Sequence, residues 1–249
     1  MKLIRGLSGV LLAVLLPSCV SLDGIVGEPG RVVAPMFPQP SGEEVVVTET
    51  IRVRGVFDGK GRMYVPKGLG DGSQKENQNA LFVLERDGAV LKNVHYRGAD
   101  GIHIEADDCV IKRCINHDVG EDAVTVEGKR ARIEDSCFRG AADKVIQVND
   151  GSVTLKRCLV DDYGRFVRLN AERGRKLSAV VEDCRLYNGR GSGVKATHRR
   201  GEVRASGNRF YGGLESFQMF KISGGAQLVE EGNRWDRPGA LGALGRLLP

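Results

Sequence analysis

Aromatic residues are scarce in this sequence, at 6% of 249 residues. The stretches between its recurring short motifs, which are given below, are also too short to be helices. Glycine, in contrast, is frequent, with 34 residues. Few aromatic residues and many glycines suit stacked turns and small side chains better than a helical bundle. The composition therefore favours an all-β protein with many turns.

The sequence lacks the patterns that usually accompany zinc binding and nucleic-acid binding. The cysteines form no C-x-x-C pair, which argues against a zinc site. Basic residues are not interleaved with aromatic ones, and no nucleic-acid motif is present, so we expect no nucleic-acid partner. The formal net charge of +5 is a mild excess that suits an acidic polymer.

The N-terminal apolar run is too short to span a membrane. Basic residues precede the run Leu7–Leu16, which is typical of a signal peptide. The sequence LPSC at 16–19 resembles the bacterial lipobox. We therefore expect residues 1–18 to be a lipoprotein signal peptide, with lipid on Cys19 anchoring an exported protein to the outer membrane or cell surface. The alternative is a plain secretory peptide with an incidental cysteine.

The next segment has the composition of a linker. Residues 19–42 contain four prolines and several glycines without a sustained period, which predicts a tether. Strand-like alternation begins in 44–53. We predict that residues 43–249 form one domain, and we expect a monomer.

Four motifs recur at nearly one spacing: ADGIH at 99–103, VGEDA at 119–123, ADKVIQVN at 142–149 and DYGRFVR at 162–168. The step from Asp100 to Asp122 is equal to the step from Asp122 to Lys144. Short apolar-alternating runs repeat between the motifs. A period of about 20 to 30 residues made of strands and turns predicts a β-solenoid. A β-sandwich, which lacks a fixed long period, is the second choice.

Residues one period apart stack at about 4.8 Å in a solenoid, so the motif residues should form one column. The acids occupy the lower turns and the bases the upper ones: Asp100, Glu121 and Asp122, then Asp143 with Lys144, then Arg165 and Arg168. Stacked carboxylates repel, which suggests a bound hard cation with oxygen ligands, usually calcium. The basic row suggests an anionic substrate. The plainer interpretation is that these are solvated surface charges.

The six cysteines give an odd remainder of five once Cys19 is assigned to lipid, so they cannot all pair. Four of them fall at one point of successive repeats, where two asparagines follow: Cys114, Cys137, Cys158 and Cys184, then Asn208 and Asn233. We predict a buried ladder of small side chains. A disulfide between Cys109 and Cys114 is an open alternative.

Seven motifs, taken in order, resemble those of the class III pectate lyases: FDGKG, GLGDGSQKENQ, LKNV, ADGIH, VGEDA, ADKVIQ and DYGRFVR. The resemblance covers roughly residues 53–203. It implies a single-stranded right-handed parallel β-helix. It also implies calcium-dependent β-elimination of polygalacturonate, the backbone of pectin, to unsaturated oligogalacturonides.

The resemblance also implies roles for single residues. It makes Asp100, Glu121 and Asp122 calcium ligands. It makes Lys144 catalytic, flanked by Asp143, with Arg168 as a contact to the substrate carboxylate and Glu76 as a further acid of the cleft. Most members have lysine where this chain has Arg165, so subsite preference should differ.

Elimination removes the proton on C5 of a galacturonate and spreads charge onto its carboxylate, which calcium and Arg165 or Arg168 would neutralise. The base must be neutral when it acts. Cationic neighbours should lower the pKa of Lys144, whereas arginine holds its proton, so we choose Lys144 as base and expect an alkaline optimum. His103 should form structural hydrogen bonds rather than bind metal.

Two other functions compete with the lyase. One is a non-catalytic β-helix lipoprotein that binds acidic polysaccharide. The other is a polysaccharide hydrolase, which requires two carboxylates astride the bond and no essential lysine or calcium. The row of bases above the acids disfavours the hydrolase.

Overall fold

The computed structural model describes residues 30–70, 73, 75, 78–118, 122–170 and 175–237. This part of the chain contains strands and no helix, and therefore no helix long and apolar enough to cross a membrane. In chain order the strands are β1 Val45–Val47, β2 Ile51–Val53, β3 Val56–Asp58, β4 Met63–Pro66, β5 Phe82–Leu84, β6 Val90–Lys92, β7 His95–Arg97, β8 Ile102–Ile104, β9 Val110–Lys112, β10 Ile115–Asp118, β11 Asp122–Val126, β12 Ala131–Glu134, β13 Cys137–Val148, β14 Ser152–Lys156, β15 Leu159–Leu169, β16 Leu177–Glu182, β17 Arg185–Ala196, β18 Gly201–Ser206, β19 Arg209–Tyr211, β20 Gln218–Ile222, β21 Gln227–Glu231 and β22 Arg234–Asp236.

Each strand pairs in parallel with a strand of the neighbouring turn of the chain. In β11, for example, Val124 pairs with Ile102 on one side and with Ile146 on the other. These two partners are equally far from Val124 along the chain, one before it and one after it. Parallel pairing at a fixed long period defines a β-solenoid. The prediction of an all-β parallel solenoid is confirmed, and the sandwich is excluded.

The solenoid has two sheets, one of which is divided into two arms. The smaller sheet holds β3, β6, β9, β12, β14, β16, β18 and β21. In the larger sheet, the first arm contains β1, β4, β7, β10, β19 and β22, and the second arm contains β2, β5, β8, β11 and β20. The long strands β13, β15 and β17 belong to both arms. Their register shifts where the arms meet, between Ala141 and Lys144 in β13 and between Tyr163 and Arg165 in β15. We call this place the junction.

The core consists of columns of apolar side chains on successive rungs. One column of the second arm is at most 1% exposed throughout: Ile102, Val124, Ile146, Val167 and Val194. Alternate residues of a strand point to opposite faces, so apolar residues at every second position fill the interior. Each such side chain contributes about 1.5 to 3 kcal/mol when fully buried. These columns hold the junction in place.

A turn with one left-handed residue leads from the smaller sheet into the first arm. Its φ angles are 52° to 54° at Asn93, Arg113, Asp135, Arg157 and Asp183, and 67° and 65° at Gly207 and Gly232. A left-handed conformation is unfavourable for most side chains. Cross-rung ion pairs offset part of this cost, as where Arg157 donates through Nε and Nη2 to Asp135 at 2.6 and 3.1 Å.

A ladder of small buried side chains follows this turn. The backbone N–H of Cys114 donates to Ser136 Oγ at 3.1 Å, and that of Cys184 donates to Asn208 Oδ1 at 2.9 Å. The predicted buried ladder is confirmed at Cys114, Cys158, Cys184 and Asn208, and it ends at Asn233, which is half-buried.

The prediction is wrong for Cys137, because Ser136 occupies that rung and Cys137 is the next, half-buried residue. All five cysteines in the described part of the chain are free. A disulfide between Cys109 and Cys114 is therefore not formed.

Residues 30–42 contain no strand and lie against the first arm. The N–H of Val32 donates to Asn188 Oδ1 at 2.8 Å, and Asn188 Nδ2 donates back to the Val32 carbonyl at 2.9 Å. Phe37 is 4% exposed, and the Arg139 guanidinium lies 4.4 Å from its ring centroid. The described end of the predicted tether thus packs on the solenoid. The predicted signal peptide, Cys19 and the rest of that tether lie outside the described residues.

Candidate active site

Three of the predicted site residues stack on consecutive rungs at the junction. Asp122 is the first residue of β11 and pairs in register with Lys144 of β13. Lys144 in turn pairs with Arg165 of β15. The acid, the lysine and the arginine therefore follow one another in one column, as the regular spacing of the motifs predicts.

Glycine lets successive rungs approach closely at the junction. A Cβ on Gly164 would lie 2.4 Å from the Asp143 carbonyl oxygen, and a Cβ on Gly101 would lie 2.3 Å from that of Ala123. Gly101 also has a φ of 53°. No larger residue fits either position without moving the backbone beside the site.

Lys144 is 3% exposed and lies between two carboxylates. Its Nζ is 3.2 Å from Asp122 Oδ1 and 2.5 Å from Asp143 Oδ2. Burial alone would lower the pKa of Lys144, but the charges of Asp122 and Asp143 and their hydrogen bonds outweigh it and raise the pKa. The predicted lowering of the Lys144 pKa is therefore wrong, because the charged groups nearest to its amine are carboxylates rather than arginines.

Asp143 joins the lysine to the basic side of the site. It accepts hydrogen bonds from Lys144 Nζ and from Arg165 Nη1. Burial opposes ionisation of this carboxyl group, yet Lys144, Arg165 and Arg168 together lower its pKa. Asp143 is thus an ionised bridge between two cations.

Asp100 lies in the turn before β8 and binds a histidine. Its Oδ2 is 2.9 Å from His103 Nε2. Burial would lower the pKa of His103, but the hydrogen bond and charge of Asp100 raise it. The predicted hydrogen-bonding role of His103 is confirmed.

The donors that the structure describes are of the type that calcium prefers. Asp122 is 3% exposed, and Asp100 lies half-buried one motif earlier. Both offer carboxylate oxygens, as calcium requires. Within the described ranges, no group of three or more His, Cys, Asp and Glu side chains is placed to hold a metal. The third predicted ligand, Glu121, lies outside those ranges, as does Glu76. The two described donors fit calcium in chemistry, and the complete site stays a prediction.

A second column of bases lies beside the first. Arg168 pairs in register with Lys195 of β17, and Lys195 pairs with Lys221 of β20. Burial, then Arg165, Arg168 and Lys221, lower the pKa of Lys195. None of these three stacked bases forms an ion pair with another described residue. We call Arg168, Lys195 and Lys221 the basic stripe.

Sequence analysis missed Lys195 and Lys221. Each follows its register partner by a longer step along the chain than the step that separates the acidic motifs. The available signal is a lysine at the penultimate position of each apolar strand, in GVKA and MFKI. Recognising it requires allowance for longer turns in the upper part of the solenoid.

The known sequences that match this chain agree with the family resemblance of its motifs. The family profile described as Pectate lyase matches residues 34–205. A protein named probable pectate lyase E, from Aspergillus clavatus, is 34% identical over 166 residues. That alignment covers 62% of this chain and 64% of the relative. The chain therefore spans just under two thirds of that relative's length.

Solved structures share the fold. The catalytic domain of pectate lyase PelI from Erwinia chrysanthemi superposes with a TM-score of 0.53 and 20% identity, covering 71% of this chain and 88% of that one. A complex of PelI with tetragalacturonic acid gives a TM-score of 0.59 at 19% identity, with coverage of 77% and 70%. Pel3 from Pectobacterium carotovorum gives 0.59 at 18% identity, with coverage of 75% and 67%. The family profile spans well over half of the sequence, including the whole junction. This chain belongs to the pectate lyase family.

Proposed function

We propose that this protein is a calcium-dependent pectate lyase that cleaves polygalacturonate by β-elimination to unsaturated oligogalacturonides. The observation that carries the proposal is the family match over 34–205, the range that contains the column of Asp122, Lys144 and Arg165. The relative from Aspergillus clavatus is named a probable pectate lyase, and PelI has been solved with tetragalacturonic acid. Both support pectate as the substrate.

The bases above Lys144 suit a substrate with one carboxylate per sugar. Arg165 and Arg168 are half-buried, which limits the number of conformations they lose on binding. A guanidinium can give a carboxylate two parallel hydrogen bonds, whereas lysine acts as a point charge. We assign Arg165 and Arg168 to the carboxylate of the reacting sugar, and Lys195 to that of a neighbouring sugar.

Lys144 is the proposed base that removes the C5 proton. Its Nζ is held as an ammonium by Asp122 and Asp143, so Lys144 must release a proton to solvent and leave these two ion pairs before it can accept the C5 proton. Asp143 also holds Arg165, and it therefore fixes the relative positions of the two cations. Asp143 is assigned a positioning role.

Calcium is the proposed cofactor, with Asp100, Glu121 and Asp122 as ligands. When bound, it would neutralise charge on the substrate carboxylate and so acidify C5. Asp100 and Asp122 support this assignment, because both offer carboxylate oxygens and Asp122 is buried. The calcium site can be tested separately from the reaction by isothermal titration of the substrate-free protein with calcium, in which Asp122→Asn should weaken binding.

The mass of the products tests the reaction class. Elimination leaves each new non-reducing end one water lighter than hydrolysis does. Mass spectrometry of polygalacturonate digests should show unsaturated oligogalacturonides with the wild type and none with Lys144→Ala. Saturated products would establish the hydrolase instead. Retention on polygalacturonate with no products under any condition would establish the non-catalytic binding protein.

We also propose export and lipid attachment. The support is the sequence of residues 1–19 and the location of the polymeric substrate outside the cell. Cys19→Ser should move the protein from the membrane fraction to the soluble exported fraction without changing its specific activity. An unchanged membrane fraction would exclude the lipid anchor.

A further inference from the structure

Three arginines stack on the outer surface of the first arm, away from the junction. Arg185 of β17 pairs in register with Arg209 of β19, and Arg209 pairs with Arg234 of β22. Arg185 and Arg234 are exposed, and Arg209 is half-buried. The residue that follows each of them points into the core or is partly buried, so the three guanidinium groups share one outer face. We call these residues the arginine ladder.

The arginine ladder lacks the acidic partners that other stacked arginines of this solenoid have. Arg130 pairs with Asp108 at 2.6 Å, and Arg157 pairs with Asp135 at 2.6 Å across neighbouring rungs. In the part of the chain that the structure describes, no carboxylate lies within ion-pair distance of any ladder arginine. Like charges on adjacent rungs repel and destabilise a sheet. The ladder therefore does not serve to hold the turns together.

Two tyrosines lie on the same side of these strands, Tyr211 half-buried and Tyr187 buried. Tyr187 and Tyr211 lie two positions after Arg185 and Arg209 on the same strands and so face the same way. Their rings stack with centroids 4.6 Å apart and an interplanar angle of 16°. Phenol hydroxyl groups can donate hydrogen bonds to hydroxyl or carboxylate oxygens of a sugar. Tyr211 therefore adjoins the ladder at the surface, and the buried Tyr187 supports the Tyr211 ring by stacking.

This surface is distinct from the catalytic column. Arg185 and Ser192 are both in β17, and Ser192 is the register partner of Arg165. The stretch of strand between them corresponds to roughly 20 Å along the chain. The junction, where the register shifts, lies between them. One sugar cannot contact the ladder and Lys144 together.

We propose that the arginine ladder, with Tyr211 beside it, is a second binding surface for an acidic polysaccharide lying along the solenoid axis. One cation per rung places three charges in a line at about 4.8 Å spacing, which suits a linear chain of uronates. Guanidinium is the group best matched to carboxylates. A membrane surface would contact a planar patch rather than one line. The identity of the ligand rests on the proposed function.

Affinity electrophoresis through polygalacturonate gels with chelator measures binding without turnover. The triple variant Arg185→Ala, Arg209→Ala and Arg234→Ala should bind at least roughly fivefold more weakly, from the loss of three charge contacts. Its turnover of short oligogalacturonides should not change. A control that removes three positive charges at the smaller sheet should retain most of the affinity: Lys156→Ala and Arg204→Ala in its strands and Lys176→Ala just before β16.

Replacement of the three arginines by lysine guards against loss of folding, and this variant should bind between the wild type and the alanine variant. Equal losses in the alanine variant and the control would overturn the proposal, since only net charge would matter. Ladder-dependent binding to anionic phospholipid vesicles without binding to polygalacturonate would also overturn it. Ladder-dependent retention on polygalacturonate by a wild type that has no lyase activity would support the ladder while rejecting the proposed enzyme.

Discussion

Lys144 Nζ lies 3.2 Å from Oδ1 of Asp122, its register neighbour on the adjacent rung, and both side chains are buried, with each residue 3% exposed. A buried charge pair of this kind is costly to break on one side only. The contact therefore affects both the stability of the junction and the chemistry proposed for it.

Lys144→Ala should abolish nearly all activity and also lower stability. Loss of the base should reduce kcat at least about 100-fold. Loss of the cation leaves Asp122 without its lysine in a buried position, which should cost about 3 kcal/mol of unfolding free energy. Lys144→Arg, which restores the positive charge, should recover much of the stability but little of the kcat. Activity of Lys144→Ala near that of the wild type would exclude Lys144 as base.

The two lysines of the basic stripe should act on substrate binding rather than on the chemical step. Lys195→Ala and Lys221→Ala should raise KM for polygalacturonate and leave kcat nearly constant, because Lys195 is assigned to a sugar beside the reacting one and Lys221 lies one rung further from it. The effect of Lys221→Ala should disappear for short oligogalacturonides that do not extend to its rung. Lys156→Ala on the smaller sheet is the matched control. A fall in kcat with unchanged KM would place these lysines in the chemistry instead.

The small-residue ladder gives a test of register by stability. Ser136→Ala should destabilise the protein by about 1 kcal/mol, because the buried N–H of Cys114 loses its acceptor. Cys137→Ala should have a smaller effect, since Cys137 is half-buried and outside the ladder. Urea unfolding of the two variants measures the difference. A larger loss for Cys137→Ala would contradict the register described above.

A histidine pair on the first arm should make stability depend on pH. His95 Nδ1 and His117 Nε2 are 2.9 Å apart, and Arg97 and Arg139 are the charged groups near His117. Burial, and then His117, lower the pKa of His95 from 6.5 to about 4. The unfolded chain therefore binds the proton more readily, and stability should fall as pH decreases from 6.5 towards 4.

His95→Asn should remove part of this dependence. The Tm of the variant should decrease less than that of the wild type between pH 7 and pH values of about 4.5. The difference between the two proteins isolates the contribution of the His95 and His117 pair, because the titrating groups outside the pair are common to both. Parallel Tm curves would show that His95 is not the source.

Much of the architecture could be predicted because it depends on spacing. The equal steps between the acidic motifs and Lys144 indicate a solenoid and place Asp122 and Lys144 in one column without knowledge of any contact. The pKa of Lys144 could not be predicted in this way, since it depends on which of several nearby charges its amine contacts. Nor could the sequence show that Ser136, rather than Cys137, belongs to the ladder, because both are small residues and either would suit that position.

The upper part of the basic stripe could not be found by spacing because the turns lengthen there. Lys195 and Lys221 follow their partners by longer steps than those of the lower turns, so a search at the lower period misses both. The steps of the arginine ladder are also longer than those of the lower turns, and no distinctive motif surrounds them. Only pairing in three dimensions identifies those arginines as neighbours.

The most direct test of the central claim is the growth of ultraviolet absorbance on polygalacturonate at alkaline pH, since only elimination creates the conjugated unsaturated uronide. The account predicts growth with calcium, none after a chelator, recovery when calcium is restored, and none with Lys144→Ala. Equal growth with and without chelator would contradict the calcium dependence. No growth on any uronan would contradict the lyase itself.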